Sequence, residues 1–395
     1  MSNLHHSFIN AERPSALPPL ATTPEIEQLL RAGAPVAIGT SGGKDSGTMA
    51  LMLHHHLNSI GHAGPRLLIH SDLGRIEWRE SIGMVERLAG HLGLDLAVVR
   101  REAGGLVERW QQRWRNNVER YCALSCVKLI MPWSSPSLRF CTSELKSAVI
   151  ARDLKRRYPG QTIINAVGLR REESPMRAKQ AVARVSKALT TKTQTGYDWH
   201  PILDWRLGAV LASHEQHGFP LHPAYTERGS TRVSCLACVM SSANDLIASA
   251  SDPSNHEVYW ELVDLEIAST FSFQGDRWLG DVAPDLLTQG QRNGLAEAKE
   301  RARARVGIEQ RIPRHLWYTK GWPTCMPTRA EAELLAQVRR EVAATVGLGI
   351  EFDTTDGVLA RYADLLKQKA AKSGNCNGCG DGCLSGTLVQ EALFY

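Results

Sequence analysis

The sequence has no apolar run near the ~20 residues that a membrane-spanning helix needs, which argues against an integral helical membrane protein. Its start, MSNLHHSFINAERPSALPPL, has no charged head followed by an apolar core, and so does not read as a secretion signal. Residues 1–30 are expected to form a loose leader ending in a Pro-rich hinge, and the expected location is cytoplasmic. No segment repeats at a period of roughly 20–50 residues, so a solenoid or propeller is not expected. Net charge is also scarce, only +5. That charge is uneven: between Ala151 and Lys192 eleven Lys/Arg stand against three Asp/Glu. Such a stretch is either a solvated helix face or a face that meets phosphate groups, of a nucleotide or of a nucleic acid.

What the chain does have is size and cysteine. Its 395 residues, 43% apolar and 22% charged, suit a buried core in a main domain plus an accessory region. Nine cysteines are many for a reducing compartment, where clustered thiols point to metal or redox chemistry rather than disulfides.

The first third alternates strand-like and helix-like segments. Pro35–Thr40, Arg66–Asp72, Leu94–Arg100 and Thr162–Gly168 read as strands. Helical periodicity covers about Asp45–Leu57 and Ile76–Leu92. This alternation predicts an α/β fold with a parallel sheet and right-handed crossovers. Beyond Gly168 follow a basic segment, an aromatic-rich piece at Tyr197–Trp205 and a Gly/Pro-punctuated loop reaching Cys238. Helical periodicity returns over His256–Phe271, Leu295–Val306 and Arg329–Val346, and Lys372–Gly386 reads as a Gly/Asn/Cys loop.

The most specific feature is SGGKDS at Ser41–Ser46, placed after a predicted strand and at the start of a predicted helix. Gly42 and Gly43 permit a sharp turn and a close backbone approach. Successive N–H groups and the helix N-terminus can hold a phosphate, Ser41 and Ser46 can add hydroxyls, and Lys44 adds a positive charge. This is not a Walker A loop, because Ile38 stands where that pattern needs glycine and Asp45 follows the lysine. The loop instead resembles the PP-loop of ATP pyrophosphatases, which hold the β- and γ-phosphates and transfer AMP. In an open α/β sheet, ligands sit at the carboxyl ends of strands. Asp72, ending the second strand at that edge, would contact adenosine or a metal, or else cap the helix that follows.

SGGKDS, then HSDLGRIEW at His70–Trp78, FCTSELK at Phe140–Lys146 and GLRREESPMR at Gly168–Arg177 resemble, in order and spacing, the phosphoadenosine-phosphosulfate (PAPS) reductase-like superfamily. HPAYTERGSTRVSCLACV at His222–Val239 looks like the Arg-Val-x-Cys-x-x-Cys segment of its phage- and plasmid-borne members. The intact loop together with a CT-x-x-LK segment and the cysteines resembles most the ATPase subunit of the DNA phosphorothioation system. This resemblance implies a Rossmann-like, adenine nucleotide alpha hydrolase sheet over residues 31–245, with a cysteine-bearing insertion. A helical region (246–350) and a Cys-rich tail (351–395) would follow. It also implies ATP and Mg²⁺ at the loop, with Lys44, Asp45, Arg170 and Arg177 acting on the reacting phosphates. Either arginine could instead pair with Glu172 or Glu173, and Arg232 is a further anion contact to consider.

Cys235-x-x-Cys238 suits a metal, a cluster or thiol redox chemistry. The resemblance makes Cys141 a third ligand of an iron–sulfur cluster, a 4Fe-4S centre, and Cys122 or Cys126 can supply a fourth. Cys376, Cys379 and Cys383, with Cys325, form a second group suited to a cluster, zinc or a mobile redox tail. His54–His56 point to different helix faces and are not read as a metal site. Arg109 and Arg113, and Trp110 and Trp114, stand at helical i,i+4 spacing, so this helix either meets nucleic acid through charge and stacking or packs its tryptophans inward.

Three functions follow. The first is adenylation of an acceptor from ATP for sulfur transfer, with DNA as the preferred acceptor and a sulfur donor such as a cysteine desulfurase. The second is reduction of PAPS or adenylylsulfate through a cysteine nucleophile. The third is a non-catalytic iron–sulfur nucleic-acid-binding module.

Overall fold

Short apolar runs rich in Val, Ile and Leu become the strands of one six-stranded sheet in this computed structural model, which describes residues 11–319 and 321–374. The strands are β1 (Val36–Thr40), β2 (Arg66–Asp72), β3 (Leu96–Arg100), β4 (Ile163–Val167), β5 (Ala183–Val185) and β6 (Gly196–Trp199), in the order β3-β2-β1-β4-β6-β5. Every pair is parallel except β5 with β6. The α/β class and the first four strands agree with the sequence expectation. β5 and β6 were not expected as strands, because three or four residues are too few to show a period.

The chain forms two compact units: residues up to Val107 together with Arg139–Val258, and Glu108–Leu138 together with the chain from Tyr259 onward. Within the expected 31–245 domain, residues 108–138 group with the later helices rather than with the sheet. In the sheet unit the helices are α1 (Pro24–Arg31), α2 (Lys44–Ser59), α3 (Arg79–Leu92), α5 (Ala148–Arg157), α6 (Leu207–Gln216) and α7 (Ala243–Ala250). One core cluster joins Val36, Ile38 and Ile164 of the sheet to Met49 and Leu53 of α2 and Leu88 of α3. The segment preceding α1 is not a loose leader in its described part. Trp199 Nε1 donates to Ala21 O at 2.8 Å and Trp205 Nε1 to Pro19 O at 3.1 Å, and Ile26 and Leu30 of α1 are buried in the core. Buried indole N–H groups need acceptors, and these carbonyls provide them.

The second unit is helical: α4 (Leu106–Cys122, except its first residues), most of α8 (His256–Ser269), α9 (Gln289–Glu309), α10 (Arg329–Val346) and α11 (Thr355–Gly374). Thr288 with Gln291 and Thr328 with Glu331 form capping boxes that satisfy the first amides of α9 and α10. Trp110, Trp133 and Phe273 meet edge to face with centroids 5.1–5.8 Å apart. Trp114 also packs inward, against Phe271 at 6.3 Å, so the inward-packing alternative holds for this tryptophan pair. Among the described residues no helix is long and apolar enough to cross a membrane.

Candidate active site

β1 lies between β2 and β4, so the direction of winding reverses there and a crevice opens past the carboxyl ends of β1 and β4. Both sides of that crevice carry sequence-predicted residues. After β1 the chain turns through Gly42, whose φ of +74° is the left-handed region that suits glycine. A Cβ there would stand 3.0 Å from Ser81 O. Helix α2 then begins at Lys44, and its N-cap Gly43 offers no side-chain cap. The loop is braced from within. Ser46 Oγ donates to Gly43 O at 3.0 Å and accepts from Ser41 N at 3.2 Å, and Ser41 Oγ lies 3.2 Å from Ser46 Oγ. A hydroxyl has one proton, so Ser46 spends its donor on Gly43 and Ser41 donates to Ser46.

After β4 the chain passes Gly168, where a Cβ would stand 2.8 Å from Asp45 O and 2.9 Å from Ser46 Cα. Only glycine lets the two segments come so close. Arg170 follows. Its Nε lies 2.6 Å from Asp45 Oδ1, its backbone N–H donates to Glu173 Oε2 at 3.0 Å, and its guanidinium also pairs with Glu172. Lys44 Nζ pairs with Asp45 Oδ2 at 2.9 Å. The structure thus brings Lys44, Asp45 and Arg170 together. Arg177 does not join them; it pairs with Glu173 on the following turn.

The three charges support one another. Burial pushes the Asp45 carboxyl up, but Lys44 and Arg170 more than offset it and hold the group below its ordinary 3.8. Burial lowers Lys44 and Arg170, and in each case nearby groups reverse the shift: Tyr225 and Asp45 for Lys44, Asp45 with Glu173 and Glu172 for Arg170. Each Asp45 oxygen faces a cation, so a magnesium ion on Asp45 would meet the positive charges of Lys44 and Arg170. A magnesium ion would arrive on the nucleotide's own phosphates.

Three residues that sequence reasoning did not single out, Tyr225, His214 and His70, complete the surroundings. Tyr225 Oη accepts from Lys44 N at 3.3 Å and from Val233 N at 3.1 Å. His214 Nε2 lies 2.9 Å from Lys44 O. His70 Nδ1 lies 3.0 Å from Thr40 O and its Nε2 3.1 Å from Glu77 Oε2. Burial lowers His70, and Glu77, with the Thr40 carbonyl and Asp72, more than reverses that shift. The signal for Tyr225 and His70 was their place inside the matching segments; nothing in the sequence marked His214. Asp72 Oδ1 accepts from Gly74 N at 2.7 Å, capping the turn after β2. Asp72 also lines, with His70, Arg75, Glu77 and Trp78, a cavity of about 380 Å³ at the same sheet edge.

The cysteines divide between the units. Cys141, Cys235 and Cys238 belong to the sheet unit, and Cys235 feels both of the other thiols electrostatically. Cys141 precedes a π turn at Ser143–Ser147, and Cys235 forms a β-bridge with Glu77. Burial pushes the Cys235 thiol up, and nearby Lys146 acts against it. Cys122 and Cys126 belong to the helical unit. Cys126 is buried there, Asn117 Nδ2 lies 3.7 Å from its sulfur, and burial pushes its thiol to about 11. The sheet unit holds three of the expected thiols, and the two candidates for the fourth lie in the helical unit. Among the described residues no three His, Cys, Asp or Glu side chains converge as metal ligands. Within the sheet unit the three thiols are one short of the four ligands of a 4Fe-4S cluster. Cys325 is exposed in the helical unit, and Cys376, Cys379 and Cys383 lie outside the described residues.

The phosphoadenosine phosphosulfate reductase domain family matches residues 35–241 of this chain. The chain belongs to that family, and the matched span carries the phosphate loop, Arg170 and the Cys235/Cys238 pair. Comparison with curated proteins finds no match.

Proposed function

We propose that the chain is an ATP-dependent PP-loop enzyme that adenylates an acceptor, releases pyrophosphate and so prepares the acceptor for sulfur transfer. The observation that carries this reading is the intact Ser41–Ser46 loop facing Arg170 across the sheet's reversal point, with Lys44 and Arg170 both held on Asp45. An acceptor oxygen attacks the α-phosphorus, the bond to the bridging oxygen breaks, and pyrophosphate leaves. Its growing charge is met by the loop amides, Lys44 and Arg170, all fixed before the reaction begins. Magnesium, when bound, would neutralise further charge on the same oxygens.

DNA is the acceptor we infer. In support, Arg100, Arg152, Arg156 and Arg157 line a groove of about 260 Å³ between β3 and α5; Glu102 and Asp153 line it too and pair with the last three, and the arginines outnumber the acids, which suits a phosphate backbone. A sulfur nucleophile, supplied by a donor such as a cysteine desulfurase, would then displace AMP from the adenylated atom. A second reading, reduction of PAPS or adenylylsulfate, is favoured by the family's own description and by the gathering of Cys141, Cys235 and Cys238 near Lys146.

The test is pyrophosphate release from ATP by the full chain, purified without oxygen, with DNA present. Lys44→Ala is expected to weaken ATP binding roughly 10- to 150-fold, the range for a lost charge-assisted hydrogen bond. Release of sulfite from PAPS, with no pyrophosphate from ATP, would put the second reading in place of the first.

A further inference from the structure

Two backbone amides from separate segments converge on the oxygen of Tyr225. One is Lys44 N–H, the first of helix α2, at 3.3 Å; the other is Val233 N–H, at 3.1 Å. Tyr225 sits on the one-turn helix Pro223–Thr226 and is 5% exposed. His222 anchors that turn, accepting from Ala224 N at 3.0 Å through Nδ1 and lying 3.3 Å from Ser81 Oγ through Nε2. Gly43 makes the convergence possible. A Cβ there would stand 3.3 Å from Tyr225 Oη and 3.4 Å from Val233 Cβ.

We propose that Tyr225 Oη occupies the seat of a phosphate oxygen, and that the pyrophosphate portion of the nucleotide displaces it and takes over Lys44 N–H and Val233 N–H. This rests on the nucleotide reading given above. The chemistry favours the exchange. The positive end of a helix prefers an anion, whereas a phenol is neutral. Hydrogen bonds to a charged acceptor are also roughly twice as strong as those between neutral groups. Burial pushes the Tyr225 hydroxyl's pKa up, so the phenol stays protonated. Lys44 takes part as well, its ammonium lying 5.0 Å from the centroid of the tyrosine ring. Val233 precedes Cys235 by two residues, so the seat has one wall on the cysteine-bearing segment. Nucleotide binding is thereby tied to the position of the thiols, and by linkage the tie acts in both directions.

The experiment titrates the full chain with inorganic pyrophosphate and with Mg·ATP, by calorimetry and by hydrogen exchange. Tyr225→Phe removes the competing oxygen and is expected to bind pyrophosphate about 2- to 10-fold tighter than the parent. In the parent chain, pyrophosphate is expected to speed amide exchange over Pro223–Thr226 as the turn is released. Should Tyr225→Phe fail to fold, the exchange measurement on the parent decides alone. Binding with unchanged or slower exchange over that turn, or equal or weaker affinity in a folded Tyr225→Phe, overturns the inference and leaves the nucleotide reading standing. No binding of either ligand to either protein overturns both.

Discussion

Arg170 Nε and Asp45 Oδ1 lie 2.6 Å apart although 125 residues separate them in the chain. This ion pair links the segments that follow β1 and β4, and Asp45 holds Lys44 on its other oxygen. Breaking a buried pair from one side leaves an uncompensated charge. Arg170→Met is therefore expected to destabilise the protein by about 3–5 kcal/mol. Urea unfolding of the full chain checks this, and a change below about 1 kcal/mol would show that Lys44 alone satisfies Asp45.

The same carboxylate sets a pH dependence. Its folded pKa lies below the unfolded value of 3.8, so it contributes stability that is fully present above that value. The contribution is lost as pH falls through the lower, folded value. Asp45→Asn lacks it at every pH. The stability gap between parent and Asp45→Asn is thus expected to be constant from pH 5 to neutrality and to shrink in more acidic solution. Unfolding midpoints of the two proteins across that range give the answer, and a gap that widens with acid contradicts the assignment.

Gly168→Ala tests the close approach behind the loop. Its new methyl would meet backbone atoms of Asp45 and Ser46 at under 3 Å, and backbone cannot swing aside as a flexible side chain can. A cost of about 1–3 kcal/mol is expected, together with weaker ATP binding, because the displaced atoms carry the loop. Thermal unfolding and nucleotide titration measure the two effects separately. A stable variant with lost binding would also be informative, since it means the loop moved while the sheet did not.

In the helical unit, buried Arg339 donates to the last carbonyls of α4, Tyr121 O at 2.8 Å and Cys122 O at 3.1 Å, and to Glu351 O at 2.7 Å in the segment between α10 and α11. Arg339→Met keeps much of the volume and removes the donors. A loss of about 2–4 kcal/mol is expected from the carbonyls left without partners. ATP binding by the folded fraction should be unaffected, because none of these groups belongs to the loop.

Much of this site is legible in the sequence. SGGKDS follows a strand and opens a helix, as its spacing suggested, and Arg170 reaches the loop. The rest depends on contacts that leave no local trace. Arg177 looks equivalent to Arg170 in a linear reading, yet it lies on the next turn, and Glu173 captures it. Tyr225 and His214 are ordinary residues along the chain; they matter because distant segments fold back onto Lys44. The expected cysteine set is divided between the two units. Residues 108–138 carry Cys122 and Cys126 into the helical unit, and no hydrophobic period announces such a departure.

That departure also bears on how the protein can be cut. The helical unit is assembled from two separated stretches of chain, so no single terminal truncation yields the sheet unit alone. A fragment ending at Val258 would keep Trp110 and Trp133 but lose Phe273, their edge-to-face partner. Large aromatic surfaces stripped of their cover tend to associate with whatever they meet. A soluble sheet-only fragment calls instead for excising the internal loop and joining its ends.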